Sequence, residues 1–188
     1  MKLGVAGKAL TDYMQLLVSE RKLVTKSKKN AETVEVMKQL KEMACYVAQD
    51  YETELNESQT SNVCEETYEL MDGSKVTIGS ERFRCPEALF QPSLIGLENS
   101  TGVHDTIYQA IQKCDPDIKK DLFANVVLTG GSTMFRQIEK RLKKEIESLA
   151  PKNANVYVFA PASRKNSVWT GGAILASLFS QKQWVSRA

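Results

Sequence analysis

The stretch from Ala124 to Arg136 constrains the fold of this chain more than any other part of the sequence. A short apolar run, Val126 to Leu128, ends at Gly130-Gly131, and Ser132 and Thr133 follow before an amphipathic pattern begins. This order predicts a strand, a tight turn and a helix. Glycines let backbone N–H groups approach a ligand closely, and a helix N-terminus favours negative charge. The segment therefore predicts either an anion site or an ordinary connection between a strand and a helix.

A second segment, residues 155–179, repeats the order of strand, loop and helix. Asn155 to Phe159 is rich in residues that favour strands, and residues 160–166 lead away from it. We expect Gly171-Gly172 to open an apolar helix over residues 167–179. Because a Gly-Gly pair follows the strand in both segments, the second supports a ligand-binding interpretation of the first.

The arrangement of these two strands decides whether their loops meet. If the strands at 125–129 and 155–160 are parallel neighbours in one sheet, their loops lie at the same edge, where open α/β sheets bind ligands. Lys165 then brings a positive charge beside Gly130-Gly131. The alternative interpretation is that Arg164-Lys165 is a solvated pair of loop residues.

The composition is that of a globular domain. Of the 188 residues, 42% are hydrophobic and 26% are charged, and a net charge of +2 gives no sign of a nucleic-acid-binding surface. Widely spaced cysteines (Cys45, Cys64, Cys85 and Cys114) and a single histidine, His104, predict no zinc site. Reduced thiols of a cytosolic protein are the simplest account. The apolar run at the start is too short for a signal peptide, and no stretch is long enough to span a bilayer.

Helical spacing of apolar residues predicts helices over residues 10–17, 34–51, 105–113 and 138–149, with Pro151 after the last. We expect the lysine-rich stretch 22–31 to be a loop and the polar stretch 54–64 to be an exposed linker. Residues 68–70 and 75–78 flank Met71-Asp72-Gly73-Ser74, which predicts a β-hairpin. Together these elements predict an α/β layer with added elements.

The chain carries no complete set of catalytic residues. Phosphoryl transfer needs a metal ion held by carboxylates and a group that orients the attacking water, and the one Asp-Gly pair, Asp72-Gly73, belongs to the predicted hairpin turn. Gly7-Lys8 lacks the flanking residues of a phosphate-binding P-loop. Lys41 lies at the margin of an apolar stripe, where a lysine side chain usually reaches out to solvent. No catalytic residue and no metal ligand is predicted.

Several sequence motifs resemble those of the actin family. The longest is Gly79 to Ser93, GSERFRCPEALFQPS. The others are Leu10-Thr11-Asp12-Tyr13, Lys41-Glu42 with Cys45-Tyr46-Val47-Ala48, Lys120 to Asn125, Gly130-Gly131, and Arg164 to Trp169 with Gly171-Gly172. The resemblance covers Leu3 to Ser186 and corresponds to about the second half of an actin.

The resemblance implies an α/β fold of the actin-type ATPase class, which actin shares with hexokinase and the heat-shock chaperones. Residues 1–188 would form its C-terminal half only, containing the inner subdomains, with residues from about 160 to 188 returning toward the outer subdomain. The family binds ATP or ADP with Mg²⁺ or Ca²⁺ in a cleft between two lobes and assembles into filaments. The resemblance therefore implies a cytoplasmic, cytoskeletal protein whose partners are actin-like protomers or actin and actin-binding regulators, with no nucleic acid and no membrane.

The resemblance also implies which residues contact the nucleotide. Lys41 and Glu42 would face adenosine, and Gly130-Gly131 its sugar and phosphates. Phe135 stands where actins usually carry tyrosine, so that a ring can still pack on adenine without the hydroxyl group. By position, the matching residues are Gly7, Lys41, Glu42, Gly130, Gly131, Ser132, Met134, Phe135 and Lys165.

Two surfaces are implied in the same way. The segment Phe90 to Gly102 resembles the hydrophobic plug that helps to link filament strands, and its apolar tip, which could equally be core, contains Leu94, Ile95 and Leu97. Part of the groove where regulators dock corresponds to Thr170, Ile174, Leu175 and Leu178.

The departures from the family pattern indicate a divergent, actin-like protein. The first half of an actin, with its phosphate-binding hairpins, water-positioning glutamine and cation-binding aspartates, has no counterpart in this sequence. Gly4 and Ala9 replace acidic residues, and Asn166 replaces an aromatic one. Hydrolysis by this chain alone is therefore not expected.

Three interpretations remain open at this point. The first is an actin-like cytoskeletal protein that holds ATP or ADP with part of the cleft and contributes to filament assembly. The second is a non-catalytic, truncated module that binds actin or its regulators without nucleotide. The third is a truncated product that folds poorly, because half of a two-lobed protein exposes the surface meant for the other lobe.

Overall fold

The structure, a computed structural model, describes residues 1–21, 31–70, 73 and 75–179. In chain order the elements are α1 (Gly7–Glu20), α2 (Ala31–Ala44), α3 (Tyr51–Thr60), β1 (Glu66–Glu69), β2 (Lys75–Ile78), α4 (Glu81–Glu87), α5 (Val103–Gln112), α6 (Lys119–Phe123), β3 (Val126–Val127), α7 (Ile138–Leu149), β4 (Val158–Phe159) and α8 (Ser167–Leu178). Short 3-10 turns at Pro92–Ile95, Pro116–Ile118, Gly131–Thr133 and Ala162–Lys165 join them. This mixture of helices and strands agrees with the predicted α/β class.

Helix α1 contributes its apolar side to the core, because its apolar residues fall on one side. Leu10, Met14 and Leu17 are buried, whereas Asp12 and Glu20 are exposed. The buried side packs against α2 and α4. The predicted helix over residues 10–17 is therefore confirmed and extends by three residues at each end.

The long helix predicted over residues 34–51 is wrong at its C-terminal end. Helix α2 ends at Ala44, after which the Tyr46 N–H donates to the Arg82 carbonyl oxygen at 3.1 Å and the Val47 N–H donates to the Arg136 carbonyl oxygen at 3.0 Å. Backbone bonds to two distant segments thus replace the helical bonds that the apolar spacing predicts. Val47 is buried in the structure, and a longer helix would also place it on the apolar side. Apolar periodicity alone therefore does not distinguish the helix from the extended segment.

The polar stretch predicted as a linker is largely a helix. Helix α3 starts at Tyr51, its one buried residue, and the Asp50 side chain accepts a hydrogen bond from the Thr53 N–H at 3.1 Å. Glu52 and Glu54 lie in the first turn, where negative charge is favourable. The cap and these charges, rather than an apolar face, define this helix, which is why a search for apolar spacing misses it.

The predicted hairpin is confirmed by its strands. β1 and β2 pair in an antiparallel arrangement, with Glu66 opposite Ile78 and Glu69 opposite Lys75. Gly73 has a φ of +77°, a conformation that glycine adopts easily. Met71, Asp72 and Ser74 lie outside the described residues, as do residues 22–30 of the predicted lysine-rich loop and residues 180–188.

The predicted helices in the second half of the chain are also confirmed. Ile111 of α5 is buried, and α7 buries Ile138, Leu142 and Ile146 at successive turns before it ends two residues ahead of Pro151. The two helices pack against each other. Their buried residues belong to the same hydrophobic core as those of α1.

A buried ion pair joins α4, α7 and the segment after α2. Arg141 Nη2 donates to Glu87 Oε1 at 3.0 Å, and Arg141 Nη1 donates to the Ala48 carbonyl oxygen at 2.7 Å. The guanidinium group lies 4.9 Å from the centre of the Phe90 ring. Burial raises the pKa of the Glu87 carboxyl group, and the neighbouring Arg141 charge opposes that effect. These contacts hold three separate parts of the chain in register.

Candidate functional site

The strands that precede the two loops are parallel neighbours, which is the condition under which the sequence analysis expects their loops to meet. Val126 lies opposite Val158, and the Leu128 N–H donates to the Phe159 carbonyl oxygen at 2.8 Å. The strands themselves, β3 and β4, are shorter than the predicted ranges 125–129 and 155–160. Because the strands are parallel, the loops that follow them lie at the same edge.

Arg164 fastens these two loops together. The Gly130 N–H donates to the Arg164 carbonyl oxygen at 2.8 Å, and Arg164 Nε donates to the Thr133 carbonyl oxygen at 3.0 Å. Arg164 Nη1 also donates to the carbonyl oxygens of Ala160 and Pro161, each at 3.0 Å. Arg164 is therefore a structural residue of this edge, and the interpretation of it as a solvated loop residue is wrong.

The turn at Gly130-Gly131 leads into a 3-10 turn rather than into the predicted helix. Gly130 has a φ of +90°, and its N–H is already bonded to Arg164. The 3-10 turn Gly131–Thr133 comes next, and α7 begins only at Ile138. Between them the backbone at Arg136 forms a bridge with Tyr46, which keeps the chain extended. The expectation of a helix N-terminus directly after the glycines is thus wrong.

The second Gly-Gly pair is not a turn. Helix α8 begins at Ser167, whose hydroxyl group donates to the Arg164 carbonyl oxygen at 3.1 Å, so Gly171 and Gly172 lie inside the helix. The Thr170 N–H donates to the Asn166 carbonyl oxygen at 2.9 Å, which closes the first helical turn. The expectation that this glycine pair opens the helix is wrong, because the polar residues before it already do so.

A pocket of about 970 Å³ lies between α1, α2 and the loop after β3. Residues matched to nucleotide contacts by the actin resemblance line it, with the exception of Gly130: Gly7, Lys41, Glu42, Gly131, Ser132, Met134, Phe135 and Lys165. Segments that are far apart in the sequence are thus brought to one place. The pocket also has lining residues that the sequence analysis did not identify: Lys8, Leu10, Thr11, Asp12, Val34 and Lys38.

Lys41 is held inside the protein rather than at its surface. Its Nζ atom donates to the Gly7 carbonyl oxygen and to Thr11 Oγ1, each at 2.9 Å, and the residue is only 6% exposed. The prediction that this side chain reaches out to solvent is therefore wrong, because oxygen atoms of α1 replace water around the ammonium group. The two bonds use two of its three N–H donors.

The first turn of α1 meets the loop after β3 at Gly7. A Cβ atom at Gly7 would lie 3.4 Å from Ser132 Oγ and 3.8 Å from Lys41 Nζ, both ordinary van der Waals distances, so the three residues lie side by side. Gly7 is the first residue of α1, and Thr11 lies one turn later. The helix N-terminus that faces this pocket is thus that of α1, where the partial positive charge of the helix favours an anion.

The rim and one wall of the pocket differ in character. Lys165 Nζ lies 3.5 Å from Glu42 Oε2 across the rim, and both side chains are about half exposed. Phe135 is buried and Met134 is more exposed, and together with Val34 they supply an apolar wall. The pocket therefore combines an apolar and aromatic wall, which suits a planar ring, with ammonium groups that suit an anion.

The residues missed by the sequence analysis follow from spacing on two helices. Val34, Lys38 and Lys41 are separated by four and three residues, which places them on one side of α2. Thr11 follows Gly7 by one turn of α1. Once Lys41 is identified as a pocket residue, the helical period predicts that residues one or two turns away on the same side of α2 also line the pocket.

The predicted docking surfaces have different exposures. Leu94 and Ile95 pack partly against the core, whereas Leu97 is exposed. Helix α8 buries none of its residues, and its exposed apolar side chains are Val168, Trp169, Ile174, Leu175 and Leu178. Thr170 is exposed as well. The plug tip is thus partly core, and α8 is a surface helix with apolar side chains.

The described residues form neither a metal-binding cluster nor a membrane-spanning helix. No group of three or more His, Cys, Asp or Glu side chains is placed among them to hold a metal ion. No helix in the same part of the chain combines the length and the apolar character that a bilayer crossing requires.

Comparison with protein families agrees with the sequence motifs. The family model described as Actin matches residues 1–188, the full length of the sequence. Because this match extends over every helix and strand of the structure, the chain belongs to the actin family.

Proposed function

We propose that this actin-family chain binds ATP or ADP in the pocket between α1, α2 and the loop after β3. The observation that carries the proposal is the meeting of Gly7, Lys41 and Ser132 at the first turn of α1, within a pocket of about 970 Å³. Ligand pockets in proteins usually measure about 300–1,000 Å³, so the volume suits a nucleotide.

The two ends of a nucleotide match the two parts of the pocket. Phosphate groups are favoured where Gly131 and Ser132 meet the N-terminus of α1, because the helix end supplies partial positive charge. Lys41 and Glu42 lie on the adenosine side. The purine ring is favoured beside Phe135, whose ring offers an apolar face. We assign Lys41 to hold the first turn of α1 in place and to direct its remaining N–H donor at the ligand.

The divalent cation that accompanies the nucleotide in this family would neutralise phosphate charge. We propose that Mg²⁺ or Ca²⁺ enters with ATP or ADP and takes no ligand from residues 1–188. We also assign no catalytic residue to this chain. The proposed role is binding, with nucleotide held by part of the cleft between two lobes.

We further propose that residues 1–188 form the C-terminal half of an actin-type ATPase fold. In this proposal the chain contains the inner subdomains, and residues from about 160 onward return toward the outer subdomain. The protein acts in the cytoplasm as part of the cytoskeleton and contributes to filament assembly with actin-like protomers. The partly exposed tip with Leu94, Ile95 and Leu97 supports such a contact.

A thermal shift experiment tests nucleotide binding with a matched pair of variants. Gly131→Asp adds a carboxylate to the pocket, and Gly172→Asp adds one to α8 outside it; the added Cβ atom has open space in both positions. At a nucleotide concentration of about 100 times Kd, binding adds about 2.7 kcal/mol to the free energy of unfolding. We expect ATP to raise the Tm of the parent and of Gly172→Asp, and to raise that of Gly131→Asp much less. An unchanged Tm for the parent, or equal shifts for both variants, would contradict the proposal.

The exposure of α8 favours a second candidate, a non-catalytic module that binds actin or actin regulators without nucleotide. Trp169 and Leu178 are 77% and 73% exposed, and large apolar side chains on a surface often mark a binding site. Co-sedimentation with actin filaments separates the candidates. Pelleting that ATP does not change, and that Leu178→Glu abolishes, favours the second candidate; pelleting that requires ATP favours the first.

A further inference from the structure

The outer face of the sheet formed by β3 and β4 carries two paired apolar side chains. Val127 of β3 lies directly opposite Phe159 of β4, so both side chains project from the same face. They are 59% and 49% exposed, whereas Val126 and Leu128, which alternate with Val127 along the strand, are buried in the core with residues of α7. Within the described residues, the outer face is therefore an apolar surface that lacks a covering helix.

Helix α8 is an apolar helix that lacks a surface to pack against. Its sequence, Ser167–Leu178, includes no charged residue, and its exposed apolar side chains lie on several sides of the helix, as at Val168, Trp169 and Ile174. The helix buries none of its residues. A helix that is apolar all round is normally enclosed by other parts of a protein. The chemistry of α8 therefore suits an apolar partner surface.

The start of α8 is fixed at a place from which the helix does not cover the outer face of its own sheet. The Arg164 carbonyl oxygen accepts hydrogen bonds from the Gly130 N–H at 2.8 Å and from the Ser167 hydroxyl group at 3.1 Å. The helix contacts the 3-10 turn Ala162–Lys165 that precedes it. With α8 in this position, the sheet face remains exposed. One copy of the chain thus presents both surfaces and does not join them.

We propose that α8 of one copy docks on the outer face of the β3–β4 sheet of a second copy, and that the second copy returns the same contact. Parallel sheets are usually covered by helices on both faces, so the occupant that fits this face is a helix with apolar side chains. Helix α8 has that chemistry and needs such a face. A reciprocal pair satisfies both surfaces of both copies, which gives the closed two-fold symmetry that is commonest among homo-oligomers.

The charges near the proposed contact lie at its rim. Lys143 Nζ lies 5.6 Å from the centre of the Tyr157 ring and 3.7 Å from Glu147 Oε1. Val127 and Phe159 are uncharged, as is every residue of α8, so docking buries no charged side chain at the centre. An apolar centre with a polar rim is the usual anatomy of a protein interface.

The proposed pair is independent of the nucleotide pocket. The pocket lies between α1, α2 and the loop after β3, and the residues that line it include none from α8 and neither Val127 nor Phe159. Pairing of two copies therefore does not occupy that pocket. Failure of the pairing proposal would leave the proposed nucleotide binding untouched.

Sedimentation equilibrium of the full chain tests the pair. We expect the mass to rise from that of one chain toward that of two chains between about 1 μM and about 100 μM protein and to rise no further. Trp169→Glu and Phe159→Glu each place a carboxylate in the contact and should weaken pairing by at least about tenfold. A negative charge in the first turn of α8 is favourable, so Trp169→Glu keeps the helix. Val63→Glu is the matched control, since Val63 is an exposed apolar residue after α3, and it should pair like the parent.

A mixture of the two interface variants tests the reciprocal contact itself. In a pair of either variant alone, a carboxylate lies in both contacts. In a mixed pair, the intact α8 of Phe159→Glu meets the intact sheet face of Trp169→Glu, and both carboxylates fall in the other contact, where like charges form no ion pair. We therefore expect the mixture to recover pairing that neither variant shows alone. Circular dichroism checks that each variant is folded, and Val127→Glu is a second variant of the same face.

Several results would overturn the proposal. A parent chain that stays monomeric at about 100 μM would do so, and would assign both surfaces to a different protein. A mixture that does not recover pairing, or a Val63→Glu variant that loses it, would show that association does not use α8 and the sheet face. Growth beyond two chains would also contradict it, because a reciprocal pair is closed.

Discussion

Helices α7 and α8 have the same length of 12 residues but opposite relationships to the core. The sequence of α7 is rich in charged residues, yet it buries Ile138, Leu142 and Ile146. That of α8 is the more apolar, yet it buries nothing. The comparison teaches that the placement of apolar residues on one side of a helix, rather than their number, decides whether this chain buries them.

The sheet formed by β3 and β4 shows the same contrast across its two faces. Val126 and Leu128 point into the core, whereas Val127, Tyr157 and Phe159 are largely exposed. Strands of parallel sheets are usually covered on both faces. The outer face of this sheet and the surface of α8 therefore expose apolar side chains that suit a binding partner. The inner face of the sheet and α7 instead stabilise the fold of the chain itself.

The largest effect is expected from breaking the buried ion pair between Arg141 and Glu87, which tests whether α7 belongs to the core. Arg141→Ala leaves the Glu87 carboxyl group buried without its charged partner, with only the neutral Gln91 amide bonded to it, so we expect a loss of about 3–5 kcal/mol in the free energy of unfolding. Lys143→Ala is the matched control, because Lys143 is an exposed cation on the same helix with a surface ion pair. It should cost less than about 1 kcal/mol. Urea unfolding measures both, and similar losses for the two variants would show that Arg141 is not a core residue.

A pair of leucines compares the two helices directly. Leu142 of α7 is 0% exposed and Leu178 of α8 is 73% exposed. Leu142→Ala should cost about 2–5 kcal/mol because it removes buried methyl groups and leaves a cavity. Leu178→Ala should change the free energy of unfolding by no more than about 0.5 kcal/mol. Urea unfolding of dilute protein checks this, and equal losses would mean that α8 packs against the core in solution.

The same comparison explains which elements the sequence predicts. α1, α5 and α7 are predicted well because each has a buried side at helical spacing, and spacing is what periodicity detects. α3 is missed because its start depends on a cap at Asp50, and the end of α2 is misplaced because distant backbone groups at Arg82 and Arg136 bind the residues after it.

The candidate site is predictable to a similar extent. Gly7, Ser132 and Lys165 are found through the family resemblance, and the two strands, though not their pairing, are found through their β-rich runs. The structural role of Arg164 and the burial of Lys41 depend on carbonyl oxygens supplied by other segments. Local sequence carries no signal for such oxygens, since every residue has one.

A smaller loss of stability is expected at the edge of the sheet, where Arg164 is only partly buried between the core and the exposed surface. Arg164→Ala removes donors to the carbonyl oxygens of Thr133, Ala160 and Pro161. We expect a loss of about 1–3 kcal/mol in the free energy of unfolding, since hydrogen bonds from a charged donor are lost. Lys165→Ala should cost less than about 1 kcal/mol, because its ion pair with Glu42 is exposed. If the two variants unfold at the same urea concentration, Arg164 does not fasten the loops.

Helix α3 gives the smallest test, because it buries only Tyr51 and starts at an exposed cap. Its hydrogen bond from the Thr53 N–H, together with the nearby Lys144 charge, lowers the pKa of Asp50 below its ordinary value of 3.8. A carboxyl group whose pKa is lower in the folded protein stabilises it above the ordinary value, and that stabilisation is lost as pH falls through the lowered value. The Tm should therefore decrease below about pH 3.8 partly because Asp50 becomes protonated.

Asp50→Asn isolates this contribution from those of the other carboxyl groups. Asparagine still offers an oxygen to the Thr53 N–H, so the cap remains, but it does not titrate. We expect the Tm of the parent to fall more steeply than that of the variant as pH decreases below about 3.8, and the two curves to be parallel above it. Circular dichroism melts across this range measure the difference. Curves that stay parallel at low pH would mean that the charge of Asp50 adds nothing beyond the hydrogen bond that its oxygen accepts from the Thr53 N–H.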